Sequence, residues 1–238
     1  MSAQCPHANL YRPRYARTSP LYRLLERLFD QVKGEWEERF EKRYGRWRGC
    51  VDGLVNRFLE CGIHESGFAR VRCPSCRAEY FVAFSCQTRS FCPSCAAKRS
   101  VMFAQFLEEE VLADVGHWML TFTIPKILRP YFQHRRKLLG RLCRAAWQTF
   151  QEMMVEAVGE DGFRPAMVAS VHSAGDFLRW NPHVHALAVR GGWLADGEWR
   201  PAPYLNLDAA EKLFRHKVLS FLKREGLISE ERIELLLS

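Results

Sequence analysis

The sequence CPSCRAEYFVAFSCQTRSFCPSC, residues 73–95, begins and ends with a Cys-x2-Cys pair. The two pairs are separated by 15 residues, a spacing typical of a four-cysteine zinc ribbon. Two spaced pairs rarely arise by accident, so the sequence predicts a small metal-dependent module. Its ion has a structural role, because four thiolates complete a tetrahedral site and leave no position for water. The predicted zinc ligands are Cys73, Cys76, Cys92 and Cys95.

Three further potential ligands lie close to these pairs in the sequence. Cys61 and His64 form a Cys-x2-His pair upstream, and Cys86 lies between the two Cys-x2-Cys pairs. They indicate either a second ion or a different ligand set for the first one. Spacing alone leaves both interpretations open.

The composition favours a reducing compartment and a polyanionic partner. The N-terminus, MSAQCPHANLYRPRYAR, has no apolar run, so we expect no secretory signal and a cytoplasmic protein. Nine cysteines in such a chain indicate metal binding rather than disulfides. Lys plus Arg exceed Asp plus Glu by 35 to 27, which gives a net charge of +8. No segment reaches the roughly 18 apolar residues of a membrane helix, so we expect no membrane partner.

Basic and aromatic side chains are interleaved around the cysteine pairs. Surfaces that bind nucleic acid combine such groups, because cations contact phosphates and aromatic rings stack on bases. The simpler interpretation is that the aromatic rings form the small core of the module and that the cations are solvated. The residues predicted to contact DNA are Arg70, Arg72, Arg89, Lys98 and Arg99 around the module, and Arg135 and Arg136 on a later helix.

Hydrophobic periodicity predicts helices and strands outside the module. Apolar residues recur every three or four positions in the N-terminal segment, whereas β-branched and aromatic residues dominate the predicted strands. The order strand, helix, strand, strand predicts an α+β fold with a partly antiparallel sheet. Gly175, Asn181 and Pro182 are expected to form the turn between the last two strands. The predicted helices are 19–48, 96–113, 131–158 and 208–225, and the predicted strands are 117–125, 165–174 and 183–189.

His183 and His185 lie two residues apart on a predicted strand. Side chains at that spacing point to the same face of a strand, so the two imidazoles can share one divalent ion. His172, at the end of the preceding strand, is a candidate third ligand, with Asp176 as the alternative and a purely structural histidine as an equally good interpretation. We expect Leu187 and Val189 to continue the face of the two histidines into a core.

Three segments, CGIHESGFARVRCPSC, FSCQTRSFCPSCAAKR and VHSAGDFLRWNPHVHALAV, resemble the insertion-sequence-91 family of rolling-circle transposases. The resemblance covers about residues 15–238. It implies a zinc-binding domain over 15–112 and the N-terminal part of an HUH (His-hydrophobic-His) nuclease domain, an antiparallel sheet with flanking helices, over 113–238. It also implies that the paired histidines, here His183 and His185, hold Mg²⁺ or Mn²⁺.

The resemblance implies a reaction on single-stranded DNA at the ends of the element. A tyrosine attacks a phosphate, leaving a 5′-phosphotyrosyl link and a free 3′-OH, while the ion polarises the phosphate. Relatives carry that tyrosine on a helix after the paired histidines. The only tyrosine after His185 is Tyr204, in the loop-like segment PAPYLN, so we expect the nucleophile to lie beyond residue 238 and this chain to be truncated. Such a protein is expected to associate with the nucleoid when it binds DNA.

Two other functions are compatible with the sequence. In one, the chain is a non-catalytic zinc-ribbon DNA-binding protein in which His183 and His185 are only structural. In the other, the cysteine-rich module serves contacts with other proteins. A metal bound at the histidine pair favours the transposase, whereas failure to bind any DNA favours protein contacts.

Overall fold

The computed structural model describes residues 16–88, 91–175 and 179–237. The chain forms two compact units, with the boundary between Leu112 and Ala113. The predicted DNA contact Arg89 and the alternative metal ligand Asp176 lie outside the described residues. None of the described helices has the length and apolar character needed to span a bilayer.

The first unit begins with helices. α1 starts at Ser19, whose side chain accepts a hydrogen bond from the backbone N–H of Tyr22 at 3.2 Å. The predicted helix over 19–48 is interrupted at Glu35 and at Phe40 and ends at Tyr44. The chain bends at these breaks, and the Trp36 indole donates to the Gly45 carbonyl at 2.9 Å. A helix that the sequence analysis missed follows this segment. The helices are α1 Pro20–Gly34, α2 Trp36–Arg39, α3 Glu41–Tyr44 and α4 Cys50–Leu59.

An exposed β-hairpin and a long helix complete the first unit. β1, Phe68–Arg72, pairs antiparallel with β2, Glu79–Ala83, and the hairpin was not predicted. α5, Pro93–Phe106, begins with a proline, which lacks the N–H that a first turn leaves unpaired anyway. A π-helical turn over Leu107–Val111 extends it, close to the predicted helix over 96–113.

The buried core of the first unit is small and rich in sulfur. It includes Tyr22 and Phe58, whose rings pack with centroids 6.3 Å apart. Cysteines make up half of its buried members, so the unit has little apolar volume with which to stabilise itself. The buried residues of this core are Tyr22, Phe58, Cys61, Ile63, Cys92 and Cys95.

The second unit contains an antiparallel sheet of the expected α+β class. Its strands are β3 His117–Thr123, β4 Met167–Ala174 and β5 Trp180–Val189, and β5 lies between the other two. The predicted turn at Asn181 and Pro182 is wrong, because both residues belong to β5. Pro182 cannot donate a ladder hydrogen bond, and the β4–β5 register is irregular at this point, between His172 and Ala174.

Helices cover one face of this sheet. The predicted helix over 131–158 is interrupted at Arg135, whose backbone is not helical, with φ −127° and ψ 75°. A short hairpin of β6 and β7 follows the sheet, and Gly191 permits its close pairing because an added Cβ would lie 2.3 Å from the carbonyl oxygen of Arg200. The elements are α6 Arg129–His134, α7 Lys137–Val158, β6 Gly191–Trp193, β7 Trp199–Pro201, α8 Leu207–Arg224 and α9 Glu230–Leu237.

The two faces of β5 have different surroundings. Val184, Ala186 and Ala188 are at most 1% exposed, and the helical layer packs against Val184. Residues at odd-numbered positions, including Leu187, point to the other face, which we call the histidine face. Met119, opposite Leu187 on β3, is 71% exposed there. The expectation that Leu187 and Val189 lead into a core is therefore wrong for Leu187, because the core lies behind the even-numbered residues, whereas Val189 at the end of β5 is 4% exposed.

Truncation of a buried α7 side chain is expected to destabilise the second unit strongly. Leu142 is 0% exposed within the helix–sheet core, so Leu142→Ala should lower the free energy of unfolding by about 2–5 kcal/mol through lost burial and a residual cavity. Val155 lies on the same helix and is 41% exposed, so Val155→Ala should change it by less than about 0.5 kcal/mol. Urea denaturation checks both variants, and equal effects would contradict the described core.

Candidate metal centres

Four cysteines meet inside the first unit. Cys61, Cys86, Cys92 and Cys95 place their sulfur atoms within 4.8 Å of one another, and we call this group the thiol cluster. The Sγ atom of Cys95 lies 3.6 Å from that of Cys61 and 3.6 Å from that of Cys86. The Sγ atoms of Cys92 and Cys61 are 3.7 Å apart.

These distances fit a tetrahedral zinc ion. Four thiolates at about 2.3 Å from Zn²⁺ have their sulfur atoms about 3.8 Å apart, close to the spacing of the thiol cluster. The backbone N–H of Cys86 donates to Sγ of Cys61 at 3.4 Å, an interaction that favours a thiolate. The cluster can therefore hold one zinc ion with thiolates alone, and such a site is closed to water.

The cysteines of the thiol cluster differ in their pKa values. Burial raises the pKa of Cys61 and of Cys92 above the usual thiol range. Burial opposes ionisation of Cys95 as well, but hydrogen bonds from the other three thiols lower its pKa to about 7. The raised pKa values favour the neutral thiols of Cys61 and Cys92, and a bound cation would supply the charge that ionises them.

The structure does not bring together the ligand set predicted from spacing. Cys73 and Cys76 lie in the turn of the β1–β2 hairpin, where the Arg77 backbone N–H donates to the Cys73 carbonyl at 3.0 Å. Among the described residues, neither cysteine belongs to a group of three or more potential metal ligands. The reason is geometric: a five-residue strand carries this turn about 15 Å from the base of the hairpin.

Cys61 and Cys86 take the places expected for Cys73 and Cys76. Both lie near the base of the hairpin, where the Gly62 N–H donates to the Phe84 carbonyl at 2.9 Å. His64 lies outside the thiol cluster, with its Nε2 atom 3.4 Å from the Phe81 carbonyl oxygen. The observed group therefore combines one predicted pair, Cys92 and Cys95, with Cys61 and Cys86, which the sequence offered as alternative ligands.

Three histidines meet on the histidine face of the sheet. The register places His172 of β4 directly opposite His183 of β5, and Thr121 of β3 opposite His185. The ring centroids of His172 and His185 are 4.6 Å apart, and those of His183 and His185 are 4.8 Å apart. Antiparallel pairing therefore gathers the predicted pair and the candidate third ligand on one surface.

Hydrogen bonds orient the two imidazoles of β5. The Nδ1 atom of His183 lies 2.7 Å from the Asn181 carbonyl oxygen, so this nitrogen carries the proton and donates it. The Nδ1 atom of His185 lies 3.3 Å from Oγ1 of Thr121. The Nε2 lone pair of His183 is left to face Nε2 of His185, at 3.0 Å.

This arrangement fits a divalent ion. Two nitrogens bound at about 2.1 Å in neighbouring positions of an octahedral ion are about 3.0 Å apart, the distance between the two Nε2 atoms. Burial, followed by the proximity of His185 and His183, lowers the pKa of His172, which favours the neutral form that binds metal. Three imidazoles leave further coordination positions for water or a phosphate oxygen.

The predicted DNA-contacting residues have different surroundings. Arg70 makes a bidentate ion pair with Glu79, which also lies 3.5 Å from Arg72, so this carboxylate offsets part of their charge. Lys98 and Arg99 line an open cavity of about 410 Å³ on α5. Two further predicted contacts, Arg135 and Arg136, lie between α6 and α7.

Tyr204 lies in the loop between β7 and α8 and is 71% exposed.

Comparison with known proteins gives two family matches. Residues 31–124 match the family described as "Transposase zinc-binding domain", and residues 166–235 match the family described as "Putative transposase". The chain therefore carries a zinc-binding domain.

Two curated proteins are similar to this chain. The "Transposase for insertion sequence element IS801" of Pseudomonas savastanoi pv. phaseolicola is 28% identical over 194 residues, which cover 80% of this chain and 45% of that protein. The "Putative transposase y4qJ" of Sinorhizobium fredii (strain NBRC 101917 / NGR234) is 27% identical, with coverage of 64% and 39%. The chain thus spans less than half the length of either relative.

Among solved structures, the metal-free complex of conjugative relaxase TrwC with OriT DNA aligns at a TM-score of 0.35 and 17% identity, covering 53% of this chain and 56% of that chain. The complex with mutant OriT DNA aligns at a TM-score of 0.33, covering 45% and 44%. Likenesses at these TM-scores support no inference about this chain.

Loss of one thiol of the cluster is expected to remove a zinc ion. Cys86→Ser should lower bound zinc by one equivalent per chain and destabilise the first unit, because the remaining thiolates no longer complete the tetrahedral site. Elemental analysis and thermal denaturation measure both effects. Cys50→Ser is the control, since Cys50 is exposed and outside the cluster. Full zinc content in Cys86→Ser together with its loss in Cys73→Ser would restore the ligand set predicted from spacing.

Proposed function

Because this chain belongs to the insertion-sequence-91 family of transposases, we propose that it acts in the cleavage and joining of single-stranded DNA at the ends of a mobile element. The observation that carries the proposal is the group of imidazoles on the histidine face. Two Nε2 atoms at 3.0 Å, with the exposed His172 beside them, offer a set of metal ligands on a partly exposed sheet surface. A phosphate can reach such a site directly.

The proposed ion is Mg²⁺ or Mn²⁺, with His183, His185 and His172 as its ligands. When bound, a divalent ion polarises a phosphate oxygen and stabilises the charge that develops on it. The protein contributes orientation: the Asn181 carbonyl fixes the tautomer of His183, and Thr121 positions His185. These contacts hold both lone pairs ready for the ion and leave its remaining positions to the substrate.

The proposed ligands of the structural zinc ion are the members of the thiol cluster. Their sulfur spacing and burial support this set. A bound ion would contribute to the folding free energy of the first unit, because its bonds to the four sulfur atoms would add to the weak stabilisation from a small hydrophobic core. We assign residues 15–112 to the zinc-binding domain and 113–238 to the part of the nuclease domain present here.

The attacking group is proposed to be a tyrosine, and we assign it to no residue of this chain. Tyr204 lies in a loop rather than on a helix, unlike the setting expected for the nucleophile. Phosphate contacts are proposed for Lys98 and Arg99, which line a cavity beside exposed Phe103 and Phe106, and for the exposed residues Arg135 and Arg136. Arg70 and Arg72 share Glu79, so we expect each to contribute less.

Replacement of both β5 histidines is expected to abolish the second metal site and leave zinc in place. His183→Ala with His185→Ala should weaken Mn²⁺ binding by at least about 100-fold, because removal of direct ligands costs more than the loss of residues that orient them. Calorimetric titration with Mn²⁺ measures the affinity, and elemental analysis should show unchanged zinc. His134→Ala on α6, an exposed residue outside the group, should behave as wild type.

The same proteins test the link to DNA. Anisotropy of a labelled single-stranded oligonucleotide should show tighter binding when Mn²⁺ is added to wild type and to His134→Ala, but not to the double variant. Chelators are omitted because they would also remove zinc. Identical Mn²⁺ behaviour in all three proteins would overturn the nuclease site and leave a non-catalytic zinc-dependent DNA-binding protein.

A further inference from the structure

We propose that a basic groove between α7 and α8 binds the backbone of double-stranded DNA. This inference rests on the proposed function in DNA transposition and adds a second DNA contact to it. The groove has a volume of about 670 Å³ and is lined by side chains from both helices. Its five cations are Arg141, Arg144, Lys217, Lys223 and Arg224.

Helical periodicity builds this groove. On α7, Arg141, Arg144 and Gln148 follow one another at intervals of three and four residues, which places them on one stripe of the helix. On α8, Ser220 and Arg224 are four residues apart and line the facing stripe. The two stripes meet because α7 and α8 pack through the same hydrophobic core. The positive charge is therefore concentrated along a line rather than scattered over the surface.

Carboxylates neutralise only part of this charge. Lys217 pairs with Glu152 at 2.7 Å. Two further cations of the groove pair with Glu225, directly after α8, and with Glu230, at the start of α9. Within the part of the chain that the structure describes, Arg144 and Arg224 take part in no ion pair. Arg224 lies in the last turn of α8, where a cation also offsets the helix dipole. Arg144 is not in the last turn of α7, so an interaction with the helix dipole does not explain its position.

The chemistry of the lining favours phosphates over bases. Two ring side chains line the groove. Phe221 is only 4% exposed and offers no ring face for stacking, and the imidazole of His216 has its Nε2 atom 3.4 Å from Oγ of Ser220. Proteins that bind single strands combine cations with exposed aromatic side chains. Here cations are combined with the hydrogen-bonding groups of Gln148 and Ser220, which suits a backbone whose bases are paired and turned inward.

The groove belongs to the helical layer, which covers the face of the sheet opposite to the histidine face. α7 and α8 pack towards Val184, whereas the neighbouring residues His183 and His185 point away from them. The metal site and the groove thus lie on different sides of the second unit. The groove and the histidines would therefore bind different segments of DNA. We assign the duplex that flanks the cleaved strand to the groove, and the single strand to the histidines.

Removal of the two cations without ion pairs tests the groove. The full chain is titrated with a labelled duplex of about 20 base pairs over about 50–200 mM salt, and binding is followed by fluorescence anisotropy. Arg144→Gln with Arg224→Gln should bind roughly ten-fold or more weakly near physiological salt. The slope of log affinity against log salt should fall by about 1.8, since each lost phosphate contact removes about 0.9.

Two further variants make the result decisive. Arg215→Gln with Arg232→Gln removes the same charge from exposed positions outside the groove and should keep the wild-type slope. Arg144→Lys with Arg224→Lys keeps the charge and should restore most of the binding, which a folding defect would not allow. Equal behaviour of the two glutamine variants, or no duplex binding by wild type, would overturn the groove. The proposed function is judged separately, by Mn²⁺-dependent binding of single-stranded DNA at the histidines.

Discussion

The alternation of side chains along β5 is the constraint on which the second unit depends. Its even-numbered residues, from Val184 to Ala188, are small or β-branched and let the helical layer pack closely on the sheet. Its odd-numbered residues include His183 and His185. A one-residue slip in the pairing of β5 would bury imidazoles against the helices and expose the core, so burial of one face fixes the chemistry of the other.

The first unit depends on a different constraint. Its small core is built around cysteines, which contribute little apolar area, so hydrophobic burial alone stabilises it weakly. The thiol cluster joins the end of α4, the base of the β1–β2 hairpin and the start of α5 at one point. An ion bound there links segments that are distant in sequence, and metal binding and folding of this unit are then one equilibrium.

The sequence predicted a cysteine cluster and a histidine cluster, but it predicted the residues of the histidine cluster better than those of the cysteine cluster. The His-x-His pair is local, and period-two alternation within one strand suffices to place both imidazoles on one face, as observed for His183 and His185. The members of the thiol cluster come from three separate segments of the chain, and a hairpin that was not predicted carries Cys73 away from Cys92. The spacing of cysteines in the sequence does not determine their distances in space, because strand pairing decides which parts of the chain lie close together.

The same limit explains the errors in the fold. The predicted turn at Pro182 followed local propensity, but an irregular register between β4 and β5 accommodates this proline inside a strand. Sequence alone also could not decide which face of β5 is buried, because Val184 and Leu187 are both apolar and lie on opposite faces. That choice depends on which side of the sheet the later helices cover, which is a property of topology rather than of the strand.

The two candidate metal centres differ in their ligands and in their accessibility. Four thiolates at the spacing of the thiol cluster would complete the tetrahedral coordination of a zinc ion and leave no position for a substrate oxygen. The imidazoles of His172, His183 and His185 lie on the histidine face of a sheet whose other side holds the core, and three nitrogens leave coordination positions for oxygen ligands. A closed site suits the stabilisation of a fold, and an incomplete one suits the binding of a phosphate. We therefore assign the proposed chemistry to the histidines and a structural role to the thiol cluster.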